Sequence, residues 1–468
     1  MLRTRLFAWV GASTLLVAAT LCASACVESS TAPPVLLDPD EPGAGGGPSG
    51  DGSAIEASPS SASDSSASGG KQDAGHLGSA GAGGSGGRGG ADGGMVDEGG
   101  GGRVVRDSGV DGENDGATGD RDGGATDGGA RCSPVTGLEG PFGPLTMFAP
   151  PTTENGPSAF YARAIQLHTG ESCNGRMYAT FERYFGAMPT FPIYESKDLG
   201  RTWNQISEVA DTVNGWGLRY QPFLYELPQE LGSLARGTVL IAGNSIPSNF
   251  SKTKIDIYSS TDGLKTWKFV SSVVSAGRAS MGADPVWEPF LMVANNKLIC
   301  YYSDETDPAH DQKLVHKTST DGIHWSDAVD DVALSDARLR PGMAVVAELA
   351  NGKYIYTYED PPRNRAYFKI SDDPESWNPR DEGTPFGPGG SPYVAVMPNG
   401  TVVASASGNQ KVYINTLNGA GTWSTLDAPI RGYSRALVPL QGGGLFMVVA
   451  GDWGGTRNKV TYGEIVVR

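Results

Sequence analysis

The chain has 468 residues, with 52 Asp and Glu against 36 Lys and Arg and a formal net charge of −16. Most of the acidity is local: Val27 to Arg131 carries 18 acidic and 6 basic residues, Arg3 and Arg5 precede it, and the rest of the chain is near −6 with no basic stripe. That surface suits no phosphate backbone, and the five histidines and five cysteines show no metal-ligand spacing, so neither nucleic acid, a metal nor a cofactor is expected.

Residues 1–26 read as an export signal: a short basic start, an apolar stretch from Leu6 to Leu21, then Ala23-Ser24-Ala25-Cys26. Small residues directly before a cysteine resemble a bacterial lipoprotein signal. That resemblance implies that Cys26 is lipidated and, with Val27 after it, that the protein sits at the outer membrane; simple cleavage and secretion is the alternative. The lipid anchor would be the only membrane contact.

From Val27 to Arg131 there is no Phe, Trp or Tyr, and 32 of the 67 glycines lie before residue 131. A segment with so little to bury cannot offset the entropy of ordering its backbone, so residues 27–131 are expected to be a disordered tether. Asp111, Glu113, Asp115, Gly116 and Asp122 in it fall at calcium-loop offsets, but the Gly, Asp and Ala repeats around them lack the flanking helices such a loop needs. Residues 132–468 are then the folded domain, expected to be monomeric. Export permits disulfides, with Cys132 and Cys173 the candidate pair, whereas Cys300 in the apolar run KLICYY reads as a buried free thiol.

This domain repeats itself. SKDLGRTW, SSTDGLKTW, STDGIHW, SDDPESW and a degenerate NTLNGAGTW each follow a strand-like run, and their tryptophans (203, 267, 325, 377 and 423) are spaced at steadily shortening intervals. The segments resemble the Asp-box, or bacterial neuraminidase repeat, of sialidase-type propellers. The resemblance implies turns tied together by Asp198, Asp262, Asp321 and Asp372, with each tryptophan packed between blades.

A second repeat lies upstream of each turn: a short strand, a Gly or Asn turn and another strand, occurring six times, which predicts an all-β, six-bladed propeller. The last blade ends in KVTYGEIVVR, whose final strand is expected to help close the ring. Innermost strands begin, and second strands end, at one mouth of a propeller. Aligning the repeats puts Arg163, Gln221, Glu288, Arg340, Ser391 and Arg435 at the first position, and Glu182, Asn244, Ser303, Glu359, Ser407 and Gly451 at the second. Polar groups converging on the mouth of an apolar scaffold make a candidate active site. Glu288 and Glu359, on adjacent blades, supply the two carboxyl groups that glycoside hydrolysis needs.

Trp287-Glu288-Pro289-Phe290-Leu291, the run from Tyr301 to Trp325, Arg340-Pro341-Gly342-Met343 and the run from Tyr354 to Asp360 together resemble glycoside hydrolase family 93. Its members are six-bladed, retaining exo-α-1,5-L-arabinanases that release arabinobiose. The resemblance extends from about Ala159 onward and implies Glu288 as acid/base and Glu359 as nucleophile. Arg163, Glu182, Gln221, Trp287, Arg340, Tyr358, Ser391 and Arg435 are expected to contact an oligosaccharide or polysaccharide. Three other readings stand beside this. Glu288 and Glu359 can pair with Arg163 or Arg340 in a structural charge ring, the domain can be a non-catalytic carbohydrate-binding propeller, or the three arginines can form a sialidase triad. The last is weakened by Tyr161-Ala162-Arg163-Ala164 standing where sialidases have Phe/Tyr-Arg-Ile-Pro.

Overall fold

The computed structural model describes residues 140–467 except 170–173, 187, 408 and 453. The expected signal, the tether, Cys26 and both cysteines of the candidate pair lie outside the described residues.

Among the described residues the strands form six four-stranded antiparallel sheets, each made by hydrogen-bonded neighbours. The innermost strands are Ala159–Gln166, Leu218–Glu226, Val286–Ala294, Gly342–Glu348, Tyr393–Val396 and Ala436–Pro439, the starts of blades one to six. Each runs by a short turn into its second strand, and five blades are built from consecutive chain. The sixth is not: Val460–Val466 is its third strand, and Phe142–Phe148, from the start of the domain, pairs with it as the fourth. The final strand does help close the ring, but an N-terminal strand that the repeat pattern does not mark completes the closure.

The second strands show why the pattern reads as it does. Leu298 to Tyr302 are all buried, because a blade is covered on both faces by its neighbours and alternation gives way to a continuous apolar run. Cys300 lies within that run as a buried free thiol.

The turns are held as expected at three places. Asp198 Oδ1 accepts from the Ser196 hydroxyl (2.8 Å) and the Thr202 backbone N–H (2.9 Å), and Asp262 and Asp321 repeat the arrangement with Ser260 and Ser319. The fourth is a correction. Asp373, not Asp372, accepts from the Glu375 N–H and the Ser376 hydroxyl. Asp372 points outward to Lys353, because the serine and the bonding aspartate are separated by one residue. In the degenerate fifth turn Asn415 takes the part of the serine, accepting from the N–H groups of Leu417 and Gly419 as the Ser196 hydroxyl does from those of Asp198 and Gly200. Three of the tryptophans reach across to the preceding blade: Trp203 packs on Phe446 at 5.7 Å, Trp325 donates to Ser271 Oγ, and Trp423 stacks on Phe386; Trp377 instead packs on Tyr356 and donates to the Pro374 carbonyl of its own blade.

One irregularity is repeated six times and positions everything that follows. Tyr161, Gln221, Glu288, Met343, Ser391 and Ser434 have φ of 50°, 57°, 61°, 57°, 50° and 56°. Each stands two residues before regular pairing begins or resumes in its innermost strand, and in blades one to four a register shift marks the spot. These are β-bulges, in which the extra residue leaves the ladder and re-aims its side chain and N–H. Left-handed backbone in non-glycine residues costs on the order of 1 kcal/mol or more each, and clusters where function requires it.

Candidate active site

The freed bulge amides explain how buried carboxylates are held at the funnel mouth. Glu182, at the end of the second strand of blade one, accepts from the Gln221 N–H at 2.7 Å. Glu359, at the equivalent place in blade four, accepts from the Ser391 N–H. Glu288, itself the bulge residue of blade three, accepts from the Met343 N–H at 2.7 Å and the Ser303 hydroxyl at 2.6 Å. In all three cases the backbone amide donor is the bulge residue of the next blade. Gln221 links two of these contacts, since its Oε1 accepts from the Glu288 N–H at 3.0 Å.

Glu288 and Glu359 face a common point. A Cβ added to Gly342 would lie 3.4 Å from Glu288 Oε2 and 3.5 Å from Glu359 Oε1. The two oxygens are therefore at most about 7 Å apart, a separation at which two carboxyls can flank a glycosidic bond.

Burial dominates the electrostatics here. It holds Glu288 above the ordinary carboxylate range, opposed by the Ser303 and Met343 donors, and it raises Glu359, which the negative charge of Glu288 raises further. It pushes Glu182 up to about 7 against the pull of the Tyr184 hydroxyl and the Gln221 amide. Two neighbouring carboxyls with unequal hydrogen bonding are the electrostatic basis for one acid and one base.

Aromatic rings wall one side of the mouth. Tyr433, Phe160, Tyr184, Tyr220 and Trp287 form a chain of ring contacts with centroids 5.7–6.2 Å apart, running from blade six to blade three. Tyr161 and Met343 pack beside it. Such rings offer flat apolar faces with polar tips, a suitable surface for a sugar.

The structure sorts the expected site residues. Glu182, Gln221, Glu288, Glu359, Ser391 and Trp287 are brought to the mouth. Tyr358 is not: its ring stacks on Tyr367 and its hydroxyl donates to the Glu382 carbonyl, because residues adjacent in a strand face opposite ways. Arg435 is not either, since its guanidinium donates to the carbonyls of Ile430, Lys411 and Asn409. Arg340 is held by Glu305 at 2.6 Å and by Gln312 Oε1 at 2.8 Å. The three arginines thus form no triad, and among the described residues neither Glu288 nor Glu359 makes an ion pair with an arginine, contrary to a structural charge ring. The innermost-strand alignment is right at Gln221, Glu288 and Ser391; in the other blades the equivalent positions are Tyr161, Met343 and Ser434.

Glu305 is the main residue the sequence did not disclose. It accepts from Arg340, from the Trp287 indole at 2.8 Å and from the Gly282 N–H at 2.7 Å, tying a rim loop to the aromatic wall. No repeat marks it, because it lies just past its strand. Tyr184 follows Glu182 by two residues, a spacing that could have flagged it.

Solved structures with this architecture can now be compared. The GH93 α-L-arabinofuranosidase of Fusarium graminearum, in complex with arabinobiose, is 40% identical, covering 70% of this chain and 98% of that one with a TM-score of 0.65. The α-L-arabinanase of Penicillium chrysogenum, also complexed with arabinobiose, is 39% identical, covering 70% and 99% with a TM-score of 0.66. A protein of unknown function from Dyadobacter fermentans shares the fold at 15% identity, with a TM-score of 0.51 and coverage of 66% and 95%. No family model and no curated protein matches the chain.

Proposed function

The chain belongs to glycoside hydrolase family 93, and from that premise we propose that its propeller hydrolyses α-L-arabinan from a chain end with retained configuration, releasing arabinobiose. The observation that carries the reading is the pair of buried glutamates flanking one point above Gly342. In a retaining double displacement, one carboxylate attacks the anomeric carbon while the other protonates the departing oxygen. Water, deprotonated by that second group, then releases the sugar from its glycosyl ester.

Hydrogen bonding supports Glu288 as the nucleophile, since two donors favour its ionised form. Glu359, with the single Ser391 N–H donor, suits the acid/base part. This is the reverse of the assignment implied by resemblance alone. Incubation with linear arabinan, followed by product separation and early NMR of the released anomer, tests the reading. Release of arabinobiose, first as the α-anomer, is expected; no sugar from arabinan or a broad glycan panel would instead leave a carbohydrate-binding propeller.

The same proposal includes an exported protein anchored through Cys26. Cys26→Ala should move the protein out of the membrane fraction with its activity unchanged; a variant still membrane-bound would overturn the anchor.

A further inference from the structure

Gly342, at which the two glutamates converge, has a third polar neighbour. A Cβ on Gly342 would lie 2.9 Å from Gln312 Nε2, closer than it lies to Glu288 Oε2 at 3.4 Å or Glu359 Oε1 at 3.5 Å. The amide nitrogen is thus no more than about 6.4 Å from either carboxylate oxygen, with no side chain on Gly342 to separate them. Gln312 is buried at 8% exposure and stands immediately before Lys313–Ser319, the third strand of blade three.

Its amide can be oriented only one way. Arg340 Nη2, which can only donate, lies 2.8 Å from Oε1, and the Pro341 carbonyl, which can only accept, takes one Nε2 hydrogen at 2.9 Å. Exchanging the amide oxygen and nitrogen would set donor against donor and acceptor against acceptor. Arg340 is itself fixed by Glu305 and by the Asp311 carbonyl at 3.1 Å, so the amide is braced from behind. Nε2 carries two hydrogens, and among the described residues Pro341 is the one partner hydrogen-bonded to it. The second hydrogen is left over beside the space that the two carboxyls share. A brace for the loop needs only the two bonds already made.

We propose that Gln312 contacts substrate, its second Nε2 hydrogen binding the 2-hydroxyl of the sugar ring seated between Glu288 and Glu359. The proposal rests on the glycosidase reading and deepens it. Three oxygens surround the anomeric carbon of that ring. The glycosidic oxygen takes its proton from the acid/base, and the ring oxygen gains positive charge in the transition state, where a donor would oppose it. The 2-hydroxyl remains, and hydrogen bonds to it strengthen in the transition state. Gln312 then sets specificity for a sugar that carries this hydroxyl, because a buried donor loses its bond when the deoxy sugar is bound.

The test compares the full chain with Gln312→Met, which keeps the length of the side chain and removes the amide. On an aryl arabinobioside, kcat/KM should fall by at least about 10-fold in the variant. On the analogue lacking the 2-hydroxyl of the ring at the cleaved bond, the same substitution should cost less than about 2-fold, whereas on the 3-deoxy analogue the full loss should return. A brace alone predicts a lowered melting temperature and equal losses on all three substrates, which would overturn the proposal. A second measurement needs neither turnover nor a variant: in amide NMR of the wild type, arabinobiose should move one Nε2 proton of Gln312 downfield and leave the other, bonded to Pro341, in place. Both protons unmoved would refute it. If the wild type releases nothing from arabinan, the glycosidase reading fails, and the NMR titration with arabinobiose still decides the part of Gln312.

Discussion

Gly390 lies so close to Glu359 that a Cβ on it would meet the carboxylate Oε2 at 2.2 Å. The residue that follows it, Ser391, donates the amide that holds the same oxygen. The approach of one blade's backbone to the preceding blade's carboxylate therefore depends on a missing side chain. Gly390→Ala should displace Glu359 while leaving the blade cores intact. A misplacement of about 1 Å in a catalytic group lowers turnover on the order of 100-fold, so kcat should fall by that order while far-UV circular dichroism is unchanged.

The glutamate pair can be dissected by chemistry. Glu288→Gln and Glu359→Gln should each keep the fold and lose on the order of 1000-fold or more in kcat/KM. Azide separates the parts. With an activated aryl arabinoside, azide should restore Glu359→Ala through a glycosyl azide of retained configuration, and Glu288→Ala through one of inverted configuration. The opposite pairing of products would show that the two parts are exchanged.

Glu182 makes stability depend on pH. Its carboxyl is raised from 4.5 to about 7 in the folded protein by burial. A raised acid contributes stability in full below its unfolded value, and loses it as pH rises through the folded one. Wild type should thus lose stability between about pH 4.5 and 7 from this group. Glu182→Gln should match wild type at pH 4 and exceed it at pH 8 by on the order of 1–3 kcal/mol, measured by urea denaturation at both pH values. An equal difference at both would remove Glu182 as the cause.

Adjacent aspartates provide a sharp contrast in the fourth turn. Asp373→Ala removes acceptors for the Glu375 amide, the Ser376 hydroxyl and Asn295, and should cost about 1–2 kcal/mol. Asp372→Ala loses only an exposed contact to Lys353 and should stay within about 0.5 kcal/mol. Thermal unfolding of the two variants decides which aspartate holds the turn.

Arg340 and Glu305 support the wall rather than the chemistry. Removing the guanidinium leaves the Glu305 carboxylate buried against the Trp287 indole without its cation. Arg340→Met should therefore cost about 3 kcal/mol and, by loosening Trp287, raise KM for arabinan more than it lowers kcat.

By itself the sequence determined what repeats and what is local. Blade number followed from six strand-turn-strand segments, because each blade must bury both faces and writes an apolar run to do so. Glu288 and Glu359 were legible for a related reason: a carboxylate at the edge of such a run is conspicuous, and the run fixes which end of the blade it occupies. Tertiary structure decided what depends on contact between distant segments or on backbone shape. Phe142–Phe148 closes the sixth blade through pairing across almost the whole domain, which no local pattern encodes. The bulges shifted the true mouth positions from Arg163, Arg340 and Arg435 to Tyr161, Met343 and Ser434, because a single residue in left-handed backbone changes which side chain faces the funnel and leaves no trace in residue type. Partner choice was likewise hidden: Arg340 found Glu305, a pairing of side chains 35 residues apart that only the packing of neighbouring blades around the axis brings together.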